Sequence, residues 1–125
     1  MQTHLILFVR DQAAATLFYR RTLALEPRLD APGMTEFDLG GAILGLMPED
    51  GVARLLGVAV PHPANARGVP RAELYLVVDD PSAYQARAIA AGAREASALS
   101  PRDWGHLVAY ALDPDGHVLA FAGAR

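Results

Sequence analysis

Hydrophobic and polar positions alternate along the chain in short runs that predict strands and helices in a recurring order. The apolar run Thr3–Val9 predicts a buried strand. Asp11 follows it and predicts a helix N-cap, because its carboxylate accepts free backbone N–H groups. Apolar spacing then predicts a helix over about 12–23. The segments "MTEFDLG" and "AILGLMP" predict two strands joined at Gly40–Gly41, a pair typical of hairpin turns.

The second half of the chain carries the same pattern. "AELYLVV" predicts a strand, Asp80 predicts an N-cap with Pro81 at the first helical position, and Gly92 predicts the end of that helix. "REASALS", "HLVAYAL" and "HVLAFAG" predict three further strands. The intervening stretch from Glu49 to Pro70 is rich in proline and glycine, which predicts a connector with a short helix at Val52–Leu56.

Alignment of the two halves indicates an internal repeat. The run His4–Asp11 aligns with Glu73–Asp80, and Asp38–Gly45 aligns with Asp113–Ala120. Strand, cap, helix and glycine turn come in the same order both times. The sequence therefore predicts a single domain over 1–125, made of two βαβββ modules at 1–48 and 71–125 with a connector at 49–70.

Composition and charge exclude several classes of protein. The length of 125 residues suits one domain, and the net charge of −3 comes without the basic stripe that nucleic acid requires. The chain has no cysteine, which excludes disulfides and thiolate sites. No apolar run approaches the roughly 20 residues needed to span a bilayer, and no export signal is recognisable. We expect a cytoplasmic protein that binds neither nucleic acid nor membrane.

Strand alternation predicts which side chains face a cavity, because residues two apart share a face. One set of alternate positions is uniformly large and apolar, which predicts a face packed under helices. Its members are Leu5, Leu7, Val9, Leu44, Leu46, Leu74, Leu76, Val78, Leu119 and Phe121. The other set mixes ionisable, aromatic, small and flexible side chains, and a second packed core would not tolerate an isolated carboxylate such as that of Glu73. An ordinary solvated face would carry more Lys, Thr and Ser. This second face therefore predicts a pocket lined by His4, Met47, Glu73 and Tyr75.

Three segments carry a family resemblance. "FVRDQAAATLFYRRTLAL", "ELYLVVDD" and "DPDGHVLAF", in this order, resemble the vicinal oxygen chelate superfamily, which includes glyoxalase I, bleomycin-resistance proteins and extradiol dioxygenases. The resemblance covers nearly the whole chain. It implies an α+β fold in which each βαβββ module forms half of a barrel-like sheet around a cleft, in a homodimer that is often domain-swapped.

The resemblance also implies where a metal ion would bind. The ligand positions of that family fall here on His4, Gly45, Glu73 and Ala120, and two of these have no donor atom in the side chain. A catalytic divalent site usually keeps three protein ligands. We therefore expect no complete metal site and no cofactor. If a divalent metal does bind, the expected ligands are His4 and Glu73, which are expected to face each other across the cleft. A further donor would come from Glu36, Asp103, His106 or His117.

Other candidates for the ligand site lie on the predicted hairpin "SPRDWGH". Trp104 is suited to stack on a flat ligand, and Arg102 to meet an anion. A hydrophobic plug over the barrel end is the structural alternative for Trp104. Tyr75, Tyr110 and Phe37 are expected to reach the cavity.

The leading functional hypothesis is a glyoxalase/bleomycin-resistance-like protein that binds a small, partly hydrophobic or aromatic molecule without a complete metal site. The alternative is a metal-dependent lyase, isomerase or dioxygenase of the same superfamily, with His4 and Glu73 as partial ligands. A third hypothesis is a metal-free enzyme that uses His4 or Glu73 as a base. The sequence assigns no catalytic residue and does not identify the ligand.

Overall fold

The structure is a computed structural model that describes residues 1–70 and 72–124. The chain divides into two compact units, the first formed by Met1–Arg20 and Ala24–Arg67 and the second by Arg21–Leu23 and the residues from Gly68 onward. Each unit contains helices and a mixed four-stranded sheet, which confirms the predicted α+β class. The terminal positions of the predicted second module, 71 and 125, lie outside the described residues.

The first unit follows the predicted order of elements. Strand β1 (His4–Val9) leads into helix α1 (Gln12–Leu23) and then into β2 (Leu29–Ala31), β3 (Met34–Asp38) and β4 (Ile43–Pro48). The sheet order is β1-β4-β3-β2, with β1 parallel to β4 and the other neighbours antiparallel. Helix α1 begins where it was predicted, because the Asp11 carboxylate accepts a hydrogen bond from the Ala14 amide at 3.0 Å.

The second unit repeats this order. Strand β5 (Glu73–Val77) leads into helix α3 (Pro81–Ala90), followed by β6 (Arg94–Pro101), β7 (His106–Leu112) and β8 (Val118–Ala124). The sheet order is β5-β8-β7-β6, again with the first strand parallel to the last. Asp80 caps α3 through the Ala83 amide at 3.1 Å. The two units are therefore two copies of one supersecondary arrangement.

The connector differs from its predicted form. Helix α2 covers Glu49–Leu56, so it starts directly after β4 rather than at Val52. Two acidic residues, Glu49 and Asp50, occupy its first turn, where negative charge stabilises the helix N-terminus. Glu49 is buried and accepts a hydrogen bond from Arg67 at 2.6 Å, which fastens the helix to the end of the connector.

The predicted apolar face forms the core in both sheets. Val9, Leu44, Leu46, Leu119 and Phe121 are all 0% exposed. The prediction was wrong for Leu5, which is 51% exposed near the start of β1, whereas Val9 at the end of the same strand is buried. In residues 1–70 and 72–124, no helix is long and apolar enough to cross a lipid bilayer.

Candidate ligand-binding site on the second unit

Two tyrosines flank a floor of small residues on one face of the second sheet. Tyr75 of β5 lies opposite Ala120 of β8, which lies opposite Tyr110 of β7. Cross-strand partners project from the same face, so both phenol rings stand on the face that carries the Ala120 methyl group. Val108, Ala120 and Ala122 are fully buried, and both tyrosines pack against them. The face therefore has little side-chain volume between its two phenols.

A hydrogen-bonded chain of three rings borders this floor. The Trp104 indole Nε1–H donates to the Tyr75 hydroxyl at 2.8 Å, and that hydroxyl lies 2.6 Å from His106 Nδ1. An indole N–H can only donate, so the Tyr75 oxygen is its acceptor. The direction of the bond between Tyr75 and His106 depends on the tautomer of the imidazole. The Tyr75 and His106 rings stack with their centroids 5.9 Å apart.

The tip of the β6–β7 hairpin holds Trp104 in place. The Gly105 amide donates to the Arg102 carbonyl at 3.1 Å, and the Arg102 amide donates to the His106 carbonyl at 2.8 Å. Gly105 has φ +97°, a left-handed backbone that glycine adopts without steric penalty. Trp104 is 57% exposed at this tip. Its hydrogen bond to Tyr75 thus restrains an aromatic side chain that is largely in contact with solvent.

Arg102 braces the hairpin from within. Its Nη2 donates to Ser97 Oγ at 2.9 Å, to the Ala98 carbonyl at 3.1 Å and to the Val108 carbonyl at 2.9 Å. The guanidinium carbon lies 5.1 Å from the centroid of the Tyr110 ring, which is within the range of a cation–π interaction. Among residues 1–70 and 72–124, the partners of the guanidinium are a hydroxyl, two carbonyls and a ring, and none of them is a carboxylate.

Tyr110 stays protonated on this face. Its burial raises the pKa of the phenol above the ordinary value, and the negative charge of Glu73 adds to this rise. The Arg102 charge acts on the pKa of Tyr110 in the opposite direction. At neutral pH the hydroxyl of Tyr110 is therefore a hydrogen-bond donor. Glu73 itself is exposed, and its carboxylate lies on the same face as Tyr75.

The corresponding face of the first unit has a different chemistry. Glu36 lies opposite Gly45, as Tyr110 lies opposite Ala120. The Glu36 carboxylate is 2.8 Å from Arg28 Nε and 3.6 Å from His4 Nδ1, and its side chain is only 13% exposed. The predicted candidate His4 therefore belongs to an ionic group of the first unit. Its predicted position facing Glu73 stays a prediction, since Glu73 belongs to the second unit.

Two predicted lining residues occupy different places. Met47 is half-buried and lies opposite Phe8, on the same face as His4. Phe37 does not join that face. It shares the other face with Thr35, whose hydroxyl contacts Thr16 of α1 at 2.8 Å, and it is 0% exposed. Alternation along β3 places Phe37 in the core under the helix, which corrects the expectation that it reaches the cavity.

The sequence does not predict the place of His106 in the three-ring chain. It indicates His106 only as a possible further metal donor, because periodicity does not predict the path of the hairpin. Alternation along "HLVAYAL" was the available signal, since His106, Val108 and Tyr110 share one face. Two other possible donors lie elsewhere: Asp103 is exposed near the hairpin tip, and His117 Nδ1 is 2.8 Å from Asp113 Oδ2.

The side chains present do not fit a resident metal ion. A Cβ built on Gly45 would lie 3.0 Å from Ile6 Cγ1 and 3.2 Å from Met34 Sδ, so apolar atoms occupy the space that a donor side chain would need. Arg28 already neutralises Glu36. Across the described ranges 1–70 and 72–124, no group of three or more His, Cys, Asp or Glu side chains is arranged to hold a metal ion.

One comparison with known proteins shows the family, and another shows the fold. The model of the Glyoxalase/Bleomycin resistance protein/Dioxygenase superfamily matches residues 2–121. A glyoxalase-related enzyme from Fulvimarina pelagi is 24% identical with a TM-score of 0.83, and the match covers 98% of this chain and 87% of that one. A family member from Burkholderia phytofirmans PsJN is 22% identical with a TM-score of 0.83 and 98% coverage of both chains. No curated protein matches the sequence.

Proposed function

The chain belongs to the glyoxalase/bleomycin resistance/dioxygenase superfamily, and from that premise we propose that it binds a small, flat, partly hydrophobic molecule. We place the molecule on the face of the second unit that carries Tyr75, Trp104 and Tyr110. The proposal includes no resident metal ion and assigns no chemical step.

The observation that carries this proposal is the hydrogen bond from Trp104 Nε1 to the Tyr75 hydroxyl at 2.8 Å. An indole that is 57% exposed loses side-chain entropy when it is held in one orientation. That entropy is already lost before a ligand arrives, so less is lost on binding. Stacking of a flat ring on a fixed indole contributes about 0.5–1.5 kcal/mol beyond the apolar area buried.

Polar groups around the floor favour a ligand with at least one hydrogen-bond acceptor. The Tyr110 hydroxyl is a donor, and Glu73 is an acceptor for a ligand hydroxyl or N–H. Such a mixture of a few polar groups with an apolar floor is typical of small-molecule sites. The partly buried rings of Tyr75 and Tyr110, which pack against Val108, Ala120 and Ala122, supply the apolar surface.

The test uses calorimetric titration with 2-naphthol and with quinoline as flat probes. We expect saturable binding that Tyr75→Phe weakens roughly two- to tenfold, because the variant removes the acceptor of a hydrogen bond worth about 0.5–1.5 kcal/mol. Tyr84→Phe is the matched control, since Tyr84 lies on α3 and contacts Phe121 of the core. No saturable binding of either probe, or equal affinities for the two variants, would contradict the proposal.

The proposed absence of a resident metal has its own test. The donor geometry supports it, because Gly45 and Ala120 have no ligand atom and Arg28 competes for Glu36. Elemental analysis of protein purified without added metal is expected to find less than stoichiometric zinc, nickel, iron and manganese. A stoichiometric metal that is lost in a His4→Ala variant would favour the metal-dependent enzyme instead.

We also propose a homodimer that covers the corresponding face of the first unit. Ile6 and Phe8 of β1 are each 41% exposed on that face. Exposed neighbouring apolar side chains are typical of protein interfaces. The barrel-like closure and any exchange of modules between chains remain part of this proposal.

A further inference from the structure

We propose a second binding site, for a small organic cation, in an open groove between α3 and β6. The cation has an ammonium group attached to an aliphatic chain. The groove lies on the helix side of the second sheet, whereas Tyr75, Tyr110 and Trp104 stand on the other side. It is thus independent of the proposed function.

The groove has the size and lining of a small-molecule site. Its volume is about 520 Å³, within the usual range of roughly 300–1,000 Å³. Helix α3 contributes Gln85, Ala86, Ile89 and Ala90, a spacing that places them on one stripe, and β6 contributes Glu95 and Leu99. Ile89 is 41% exposed and Leu99 is 37% exposed. These two side chains form apolar walls that suit an aliphatic chain.

Gln85 supplies an acceptor that has no donor. Its Nε2 donates to the Tyr110 carbonyl at 3.0 Å, and a carbonyl only accepts, so the amide nitrogen must face Tyr110 and the oxygen must face away. Gln85 is 8% exposed, and its Oε1 is buried without a hydrogen-bond partner among residues 1–70 and 72–124. An unsatisfied buried acceptor costs about 1–3 kcal/mol. This oxygen is not exposed to solvent, so its partial negative charge acts on a ligand in the groove through space, without a hydrogen bond.

The structure explains why Gln85 points this way. Strand β6 shifts register against β7 between Glu95 and Ser97, opposite Ala111 and Tyr110. The extra residue, Ala96, is a β-bulge that disrupts the ladder locally. The Gln85 amide donates to the Tyr110 carbonyl at this bulge.

The carboxylate of Glu95 places a negative charge at one end of the groove. This carboxylate is exposed and has no ion-pair partner in the described part of the chain. Glu95 follows the C-cap of α3, Ala91, by four residues and lines the groove together with Ala90. The C-terminus of a helix carries a partial negative charge that favours cations. Among the described residues no cationic side chain lines the groove, and the nearby Arg87 is stacked on Tyr84 at 4.3 Å.

These features select the class of ligand. The exposed Glu95 carboxylate attracts a positively charged donor and repels an anion, and the buried Gln85 oxygen adds a partial negative charge beneath the groove. The ammonium group is placed at the Glu95 end, and the aliphatic chain lies between Ile89 and Leu99. A neutral alcohol of the same length would gain the apolar contact without the charge interaction.

The experiment is an amide chemical-shift titration of the whole chain with n-pentylammonium, compared with 1-pentanol. Saturable shifts are expected in 85–90 and 95–99 for the amine. Glu95→Gln is expected to weaken amine binding roughly two- to fivefold, which corresponds to an exposed charge pair. Glu26→Gln, an exposed glutamate of the first unit, makes the same change of net charge and is expected to leave the affinity unchanged.

A second variant tests whether the ligand occupies the groove, because a larger side chain there would exclude it. Ala86 is exposed, so Ala86→Trp fills the groove without disturbing the core and is expected to abolish the shifts. Equal binding of 1-pentanol, equal effects of the two glutamate variants, or shifts centred on Trp104 would overturn the proposal. Shifts in 85–90 that appear on concentrating the protein alone would identify a second copy as the occupant, and would overturn it as well.

Discussion

The two units share their architecture and differ in the chemistry of one face. In both, a first strand runs parallel to a last strand, an aspartate caps the helix, and the equivalent positions Gly45 and Ala120 lie opposite Ile6 and Tyr75. The face of the first unit carries an ion pair between Glu36 and Arg28. The face of the second carries linked aromatic rings. Equal strand order therefore does not imply equal function.

The difference in chemistry arises in the strand that follows the helix in each unit, which is β2 in the first unit and β6 in the second. Strand β2 has three residues, whereas β6 has eight and contains two register shifts against β7. The longer hairpin carries Arg102 and Trp104 at its tip, while the short β2–β3 turn carries only Pro32 and Gly33. Length and bulges in one hairpin thus supply the side chains that the first unit lacks.

Core truncation should show how similar the two units are in stability. Phe37 in the first unit and Phe121 in the second are both 0% exposed. Each change to alanine is expected to lower the free energy of unfolding by about 3–5 kcal/mol, because it removes buried surface and leaves a cavity. Urea denaturation followed by circular dichroism measures this. A loss below 1 kcal/mol for one variant alone would contradict the equivalence of the two cores.

The exposed apolar face of the first unit should respond to a single charge. Phe8→Asp is expected to weaken the proposed dimer by about 2–3 kcal/mol, roughly 30- to 150-fold in the dissociation constant, because a carboxylate would be buried at the interface. Sedimentation velocity measures the change. Leu55→Asp is the control, since Leu55 is 72% exposed on α2. A monomeric parent protein, or equal effects of both variants, would remove the basis for an interface on β1.

Sequence pattern predicted the elements of the fold better than the contacts of the site. Asp11 and Asp80 mark both helix starts because capping is local and depends on residue type. Alternation also predicted the buried leucines. It failed for Leu5 because alternation assigns a side chain to one face of the sheet, whereas burial depends on how much of that face other elements cover.

The sequence pattern did not predict the hydrogen-bonded chain of three rings, for a related reason. Tyr75, Trp104 and His106 come together only because the β6–β7 hairpin turns at Gly105 and is braced by Arg102. Periodicity identifies the hairpin but not the direction of its tip. The pairing of His4 with Glu36 depends likewise on the register between β3 and β4, which fixes which side chains are neighbours.

The smallest expected effect concerns Tyr110, which holds the position that Glu36 holds in the first unit. The pKa of Tyr110 is raised in the folded state by burial and by Glu73, so the unfolded chain loses this proton first as pH rises above the ordinary value of about 10. The free energy of unfolding should therefore fall as pH rises from about 10 to the folded pKa of Tyr110, and then level off. Urea titrations between about pH 9 and 11.5 should show this decline in the parent protein and a smaller one in Tyr110→Phe. Glu73→Gln should narrow the window, because it removes the second cause of the raised pKa. Identical pH profiles for the parent and Tyr110→Phe would mean that the phenol has no distinct environment on this face.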